Sequence, residues 1–401
     1  MIKKPFIVIF SFFYVFSIRL FFMPLSFYML CGLFVAPYLI AKKSLCQNYY
    51  IPRRIANSTY ILLLLLLTSF VAIVYNSTSE TINRSFVVYI IAPFSAFVFV
   101  RIINMNFKKV NFKIIADLYI IAADIQILLI VVFVFNPSFR DFALGFLRIS
   151  DLSQETMENT IQFRLFGFGV FGAQVGMLFS FILILISILL KDHRLKFMEY
   201  VFYVISFFLI FGIGMMCSRS TSVGFVLSIL ILFEFKRKIL REKLFLIIIL
   251  LIFISIFLGI LFSIANKTNN NIGTYLDFGF RLLRKKELMR NYNGYIAMQK
   301  FPDSIKTWII GDGQWVNPLH PTKAFYMGTD AGYSRLLYYF GLIGTILFIF
   351  INCYITHYAS NKNKTFFYSM LLLFFIMNLK QYQSYIILMY PFCFISNRYN
   401  N

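Results

Sequence analysis

This sequence has little charge, and the charge that it has is mostly of one sign. Only 13% of the 401 residues are charged and 60% are hydrophobic, which lies outside the range of a soluble globular domain. Acidic residues are the scarcer, with 16 Asp and Glu against 38 Lys and Arg. A net charge of +22 could indicate nucleic-acid binding, but the cytoplasmic loops of membrane proteins collect basic residues as well. We therefore expect membrane lipids, and no nucleic acid, as surroundings.

Residues that bind metals or form disulfides are few. The chain has three His and five Cys, and the cysteines are scattered, at positions 31, 46, 217, 353 and 393. This spacing fits neither a metal site nor a disulfide framework. A phosphate-binding P-loop and a Ser-His-Asp arrangement are also missing from the sequence. We expect no metal and no cofactor.

Long apolar runs are the main feature that is present. Residues 60–75 and 244–265 carry almost no charge, and a membrane crossing takes about 20 apolar residues. These runs are continuous and do not alternate, so they indicate helices. We predict an all-α, polytopic membrane protein with about twelve transmembrane helices, at 5–18, 20–41, 58–75, 86–103, 114–136, 167–190, 200–217, 220–235, 244–265, 335–356, 365–379 and 384–397.

The basic loops predict the orientation. Clusters of Lys and Arg near residues 3–4, 42–54, 108–113, 191–196 and 236–243 all fall on one side, which the positive-inside rule assigns to the cytoplasm. The first apolar run is expected to be an uncleaved helix. Two long external loops remain, a smaller one at about 137–166 and a larger one at 266–334. The larger loop separates helices 1–9 (residues 1–265) from helices 10–12 (residues 335–401).

Several arginines fall at the external side of this arrangement. Arg219 lies in a short turn, Cys217–Thr221, between two apolar helices, Arg164 precedes the sixth helix, and Arg335 opens the tenth. A guanidinium matches a phosphate with two parallel hydrogen bonds and keeps its charge. Any one of them could simply reach lipid phosphates or pair with a carboxylate. Together with the basic helix expected in the larger loop, they predict an anion site; that helix carries Arg281, Arg284 and Arg290.

Polar and aromatic residues gather between 308 and 335. Both tryptophans of the chain, Trp308 and Trp315, flank the Gly311-Asp-Gly313 turn, and either could pack on a sugar ring or anchor the loop at the membrane interface. Asp312 and Asp330 are carboxylates close to the arginines, and either could act as a base for a sugar hydroxyl or simply orient an arginine, with Asp330 the better candidate. His320 could be a base or a plain surface residue. Tyr333 is a candidate contact for substrate.

Two carboxylates lie within an apolar run. Asp117 and Asp124 are seven residues apart and therefore share one face of the fifth predicted helix. Intramembrane carboxylates indicate function by default, for example an ion path. They could equally neutralise a buried arginine from a neighbouring helix.

With these residues in view, the chain resembles the Wzy-type polymerases of bacterial O-antigen and capsule, which are relatives of the O-antigen ligases. The resemblance depends on the twelve-helix layout, on Ser218–Thr221 opening a helix, and on a basic external loop with Arg290 ahead of Ile309–Gly313. It depends also on Thr329–Tyr333 leading into Phe340–Gly344. These motifs cover the second half of the chain, and the first half matches by layout only. Some such polymerases have an arginine followed by ten residues and a glycine. Counted back from Gly311, the position of that arginine is Lys300 in this sequence.

The resemblance implies a metal-independent, GT-C-like glycosyltransferase in the bacterial inner membrane with its active site towards the periplasm. It would move a growing glycan from undecaprenyl pyrophosphate to the terminal sugar of another lipid-linked repeat unit, with a possible chain-length regulator as partner. Its expected catalytic residues are Asp330 or His320 as base and Arg290. Its expected substrate-binding residues are Arg164, Arg219, Arg281, Arg284, Trp308, Trp315, Tyr333 and Arg335.

Two other functions stay open. A ligase uses the same donor but a different acceptor, and ligases tend to have a His-Asn pair, whereas His320 is followed by Pro321. A flippase for lipid-linked oligosaccharides also has about twelve helices. The external loop of nearly seventy residues disfavours a flippase, and Asp117 and Asp124 favour it.

Overall fold

The computed structural model is helical throughout the part of the chain that it describes, which is residues 4–41, 52–78, 84–107, 110–148, 157, 159–169, 172–191, 195–233, 272–281, 285–319 and 325–395. Within these ranges the β-type backbone pairings are isolated antiparallel bridges, which join Leu20 to Leu147 and Val316 to Phe325. The predicted all-α class is confirmed for these residues.

The first half of the chain contributes nine helices to the described ranges. They are α1 Lys4–Val15, α2 Phe27–Ala41 with a π-helical turn at Cys31–Val35, α3 Arg53–Tyr75, α4 Arg84–Asn104, α5 Phe112–Phe135, α6 Pro137–Gly145, α7 Ala173–Leu190, α8 Phe197–Cys217 and α9 Thr221–Phe233. The second half contributes α10 Ile272–Phe280, α11 Lys285–Met298, α12 Ile305–Ile310, α13 Gly332–Ala359, α14 Lys364–Lys380 and α15 Ile386–Cys393.

Six of these helices are long and apolar enough to cross a membrane, namely α3, α4, α5, α7, α8 and α13. They indicate a multi-pass membrane protein. Each predicted span has a helix at its position, except 244–265, which lies outside the described residues. The remaining helices, α1, α2 and α9 among them, are shorter than a full crossing.

Helix α7 forms the centre of the bundle. Of the 18 residues of α7, 83% are buried. In the most apolar 18-residue stretch of α3 only 28% are buried, so α3 lies at the periphery. Helix α7 packs on α5, α8, α9 and α14. Small residues let α7 and α9 approach closely, because the Gly224 amide donates to Ser180 Oγ (3.2 Å), and Ser180 Oγ donates to the Ser220 carbonyl (3.2 Å).

Two helix starts and one additional helix differ from the prediction. Helix α7 begins at Ala173 and not at 167, because Gly169 (φ 108°) and Gly172 (φ 65°) have left-handed backbone that cannot start a helix. Helix α2 begins at Phe27, and residues 16–26 form a turn before it. Helix α6 was not predicted, although Asn136 caps it and Pro137 occupies its first turn.

Contacts between described residues show which helix ends lie at the same end of the bundle. The start of α13 touches the end of α14, since Gly332 lies against Asn378 and Tyr382. The end of α14 reaches the α8–α9 turn through Lys380 and Ser220. Trp315 joins the start of α4 to the same end through Phe86. We call this the arginine end, because Arg164, Arg219 and Arg335 all lie there.

Candidate functional site

Arg219 is placed by the turn between α8 and α9. The turn closes with hydrogen bonds from the Ser218 amide to the Gly214 carbonyl (2.8 Å) and from the Thr221 amide to the Ser218 carbonyl (3.0 Å). A Cβ on Gly176 would lie 2.6 Å from Ser218 Oγ, so only a glycine lets α7 pack this close to the turn. The backbone around Arg219 is therefore fixed against the central helix.

Arg164 is placed by the segment 159–169, which packs over the same turn. The Leu165 amide donates to the Met216 carbonyl at 3.2 Å, which joins this segment to the end of α8. Helix α10 covers it from the other side, because Tyr275 Oη donates to the Ile161 carbonyl (3.2 Å) and Thr274 Oγ1 to the Gln162 carbonyl (3.0 Å). Part of the larger loop thus holds the smaller one in place.

Arg164 and Arg219 meet on one aromatic ring. Their guanidinium carbons lie 4.8 and 4.9 Å from the centre of the buried Phe278 ring. Burial lowers the pKa of Arg164, and the charge of Arg219 lowers it further. Arg164 Nε is buried and has no hydrogen-bond partner among the described residues. The two cations therefore repel each other in a place poor in water.

Lys380, at the end of α14, is the third cation of this group. Its Nζ lies 3.5 Å from Ser220 Oγ, and it interacts electrostatically with both arginines and with Asp330. Lys380 was not among the site residues predicted from the sequence. The signal was available, because Lys380 is the one charged residue between the last two apolar runs. We call Arg164, Arg219 and Lys380 the cation cluster.

Asp330 lies between the cation cluster and Arg335. Its Oδ1 is 3.5 Å from Arg335 Nη1, and its side chain is 35% exposed. Burial raises the pKa of Asp330 to about 6, although the charges of Arg335 and Lys380 act in the opposite direction. A carboxyl group with such a pKa can accept and release a proton near neutral pH.

Arg335 stacks between two aromatic rings. Its guanidinium carbon lies 4.0 Å from the centre of the Trp315 ring and 3.6 Å from that of Phe325, and the residue is 6% exposed. Trp315 also meets Phe86 and Tyr382 edge-to-face. Trp315 thus packs against protein groups around its ring. We call Arg335, Trp315 and Phe325 the Arg335 stack.

The two glycines of the Gly311-Asp-Gly313 turn approach the protein's own backbone. A Cβ on Gly311 (φ 82°) would lie 2.5 Å from the Gly341 amide nitrogen, and one on Gly313 (φ 68°) would lie 2.8 Å from the Ile73 nitrogen. Gly341 itself has φ 67° and kinks α13. The turn therefore seats the larger loop on α13 and on the end of α3.

Asp312 connects the chain segments that meet at this turn. Its carboxylate accepts from Thr307 Oγ1 (2.8 Å) and from Tyr326 Oη (3.2 Å), while its amide donates to the Tyr338 carbonyl (2.6 Å). These bonds hold α12, the turn at 326–328 and α13 together. We call Gly311, Asp312 and Gly341 with these partners the loop anchor.

Other predicted site residues lie apart from the cation cluster or have protein partners. Trp308 Nε1 donates to the Pro302 carbonyl (2.7 Å), and its ring stacks on Phe301. Tyr333 Oη donates to the Phe375 carbonyl at 3.3 Å. Arg281 is paired with Asp277 at 3.1 Å.

Three predicted residues are described in part or not at all. Arg284 and His320 lie outside the described residues, so their predicted roles stay predictions. Arg290 lies in α11, whereas Arg281 follows the end of α10, so the prediction of one basic helix that carries both residues is wrong.

The intramembrane carboxylates lie between α5 and α8. Asp117 accepts from Tyr203 Oη (2.5 Å), and Asp124 accepts from Ser206 Oγ (2.7 Å). Their described partners are hydroxyl groups of α8, so each carboxylate helps to join two helices. Neither lies at the arginine end.

The arginine end thus offers fixed cations beside the Asp330 carboxylate, and within the described ranges no three His, Cys, Asp or Glu side chains converge as metal ligands would. Comparisons of the chain with family models, curated proteins and solved structures found no match. Inferences about function therefore depend on the geometry of this end.

Proposed function

We propose that this protein is a membrane glycosyltransferase that polymerises lipid-linked oligosaccharide repeat units. The observation that supports it is the cation cluster, in which Arg164 and Arg219 converge on Phe278 beside Lys380. Like charges held together in a half-buried site destabilise a protein unless an anion joins them. A diphosphate carries enough charge to neutralise such a cluster.

The proposed donor is undecaprenyl pyrophosphate carrying the growing glycan. Breaking the bond between the anomeric carbon and the diphosphate oxygen leaves negative charge on the diphosphate. Fixed cations aimed at that oxygen lower the barrier, and such stabilisation is usually the largest catalytic contribution. The cation cluster would supply this without a metal.

The proposed acceptor is the terminal sugar of another lipid-linked unit. Its hydroxyl oxygen forms the new bond to the anomeric carbon, the old carbon–oxygen bond breaks, and the electron pair leaves with the diphosphate. The hydroxyl proton passes to a carboxylate. Asp330 is the candidate, since its pKa is raised to about 6 and it lies within electrostatic reach of Lys380. His320 stays a second candidate.

The proposed location is the bacterial inner membrane, with the arginine end in the periplasm. The positive-inside rule supports this orientation, since the basic loops predicted for the cytoplasm connect the opposite helix ends. A GT-C-like relationship and a chain-length regulator are further parts of the proposal that derive from the family resemblance.

A complementation experiment tests the proposal. The producing bacterium lacking this protein receives wild type, Arg219→Ala or Arg140→Ala, and the surface glycan is resolved by length on a gel. Arg140 is paired with Asp141 on the exposed helix α6 and serves as the matched control. Arg219→Ala should leave glycans with a single repeat unit, while Arg140→Ala should give wild-type lengths.

The same gel separates the other functions. A flippase defect would trap the units on the cytoplasmic side, so no single units would appear on the surface. A ligase defect would leave long glycans that stay on the lipid carrier. Wild-type glycan lengths in the Arg219→Ala strain would contradict the proposed site.

A further inference from the structure

A cavity of about 510 Å³ opens at the arginine end of the bundle. Four parts of the chain line it, the turn before α2, the start of α4, the start of α7 and the start of α15, through residues within 15–29, 88–89, 174–178 and 382–388. Its volume lies within the range of about 300–1,000 Å³ that is typical of small-molecule sites.

Gln383 is the most informative residue of this cavity. It is 5% exposed, and its backbone amide and carbonyl are hydrogen-bonded to the Asn378 side chain at 3.1 and 2.8 Å. Its side-chain amide makes no hydrogen bond to any described residue. Its amide atoms are therefore open to the cavity, where a ligand or water can take up their hydrogen bonds. Its position in the cavity wall suits a ligand that both donates and accepts.

The rest of the wall is rich in hydroxyl groups and aromatic rings. Tyr89 and Tyr382 share a hydrogen bond of 2.6 Å between their hydroxyl groups, and Ser384 Oγ donates to Asn352 Oδ1 at 3.1 Å. Arg19 is a cation in the wall, and it donates to the Pro24 carbonyl. Apolar side chains such as Leu25, Met177 and Leu388 complete the wall. A wall of hydroxyls, amides, rings and apolar side chains suits a saccharide, which has hydroxyl groups and apolar ring faces, better than a diphosphate.

The cavity and the cation cluster share two parts of the chain. Gln174, in the first turn of α7, lines the cavity, and Gly176, on the opposite face of the same turn, lies against Ser218 and Ser220 on either side of Arg219. Lys380 precedes Gln383 by three residues. The cavity and the cation cluster thus lie on two sides of the start of α7, one helix diameter (roughly 10 Å) apart, which a ligand with a diphosphate and several sugars can span.

We infer that this cavity is a sugar subsite, which binds the saccharide of a lipid-linked glycan while the cation cluster binds its diphosphate. This inference rests on the proposed function and adds to it the part of the protein that selects the repeat unit. Gln383 would be a specificity-determining residue there.

Fluorescence of Trp315 provides the test, because its ring lies 5.0 Å from that of Tyr382 in the cavity wall. The chain has two tryptophans, so Trp308→Phe leaves Trp315 as the single reporter. The purified Trp308→Phe protein is titrated with two probes. One is the oligosaccharide released from the lipid-linked repeat unit by mild acid, and the other is undecaprenyl pyrophosphate without sugar.

Gln383→Leu in this background should weaken oligosaccharide binding about tenfold, because one or two hydrogen bonds are lost, and leave undecaprenyl pyrophosphate binding unchanged. Arg219→Ala should do the reverse. Gln162→Leu, on an exposed residue of the arginine end, is the matched control and should change neither. Gln174→Ala should also weaken oligosaccharide binding, so the test does not depend on one variant that folds poorly.

The outcomes separate this inference from the proposed function. If both Gln383→Leu and Gln174→Ala bind the oligosaccharide as the parent does, the sugar subsite is wrong while a polymerase remains. If Gln383→Leu weakens undecaprenyl pyrophosphate equally, the cavity holds lipid or phosphate and the inference fails. If the parent binds neither probe, both proposals fail.

Discussion

Two groups of arginines at the same end of the molecule contact aromatic rings with opposite consequences. Arg335 lies between Trp315 and Phe325 with Asp330 3.5 Å away, so its charge is accompanied by an opposite one. Arg164 and Arg219 share the ring of Phe278, and each has the other's positive charge beside it.

Under the proposed function, the neighbouring charge separates the structural arginine from the ligand-binding ones, because the ring contacts are alike in both groups. A cation with a carboxylate and two rings stabilises the fold, since a buried cation–π contact contributes about 2 kcal/mol. Cations gathered with each other cost stability in the absence of an anion. The variants below test this difference between the two arginine groups.

The largest effect is expected from Gly341→Ala, which removes the support of the Arg335 stack. The new Cβ would lie 2.7 Å from the Gly311 nitrogen at a φ of 67°, so left-handed strain and overpacking together should cost about 3 kcal/mol or more. We expect loss of monodisperse protein in size-exclusion chromatography. Gly212→Ala is the control, because nothing lies within 4 Å of its position. Equal behaviour of the two variants would contradict the loop anchor.

The same substitution in both arginine groups should have opposite results. Arg164→Gln should reduce polymerisation about 100-fold, as the loss of one transition-state donor does, with thermal stability unchanged or raised. Arg335→Gln should lower the free energy of unfolding by about 2 kcal/mol, because the stack and the ion pair are lost. Thermal unfolding followed beside glycan synthesis measures both. If Arg164→Gln destabilises the protein as much as Arg335→Gln does, the comparison is wrong.

Asp330 should give polymerisation a pH dependence of about tenfold. Its pKa is raised to about 6, so the ionised base is almost complete at pH 7.5 and falls to about one-tenth at pH 5. The initial rate measured in membranes should therefore rise through pH 6 and then level off. Asp330→Asn should remove both the activity and this step.

The same raised pKa makes stability fall, and not rise, with increasing pH. Because the folded protein holds the Asp330 proton more tightly than the unfolded chain, this group's contribution to stability is present below pH 3.8 and is lost as pH rises to about 6. In Asp330→Asn, the free energy of unfolding should depend less on pH between 3.8 and about 6. A rate step near pH 6 that persists in Asp330→Asn would assign the proton to another group.

The smallest effect is expected from Asp312→Asn in the loop anchor. Its carboxylate accepts from Thr307 and Tyr326, so the amide should lower the free energy of unfolding by about 1 kcal/mol and leave glycan length unchanged. Thermal unfolding beside the exposed Asp303→Asn control measures this. A shortened glycan at unchanged stability would instead place Asp312 in the chemistry.

Helix positions could be predicted from the sequence because apolar runs and their basic flanks reflect the membrane directly. The ends of α3, α8 and α13 lie within a few residues of their predicted positions. The start of α7 could not be placed, since left-handed glycines are a backbone property that hydropathy does not reveal. The helical break at Gly341 was hidden for the same reason, although a glycine marked it.

The candidate site could be predicted less well. Arg164 and Arg219 were chosen for their depth, and the structure brings them together. Their association with Lys380 and Phe278 depends on contacts between residues far apart in sequence, which one sequence alone does not supply. Asp312 was noted as a carboxylate that could act as a base or orient an arginine, and in the structure it accepts from Thr307 and Tyr326 instead. Composition marks unusual residues but does not distinguish an internal partner from an external one.

The most direct test is binding of undecaprenyl pyrophosphate to the purified protein by calorimetry, with undecaprenyl monophosphate as comparison. If the cation cluster holds the diphosphate, wild type should prefer the diphosphate, and an Arg164→Gln, Arg219→Gln double variant should lose at least about 100-fold in affinity, or about 2.7 kcal/mol. Arg335→Gln protein that remains folded should keep the wild-type affinity. Equal diphosphate affinity in wild type and the double variant would contradict the account.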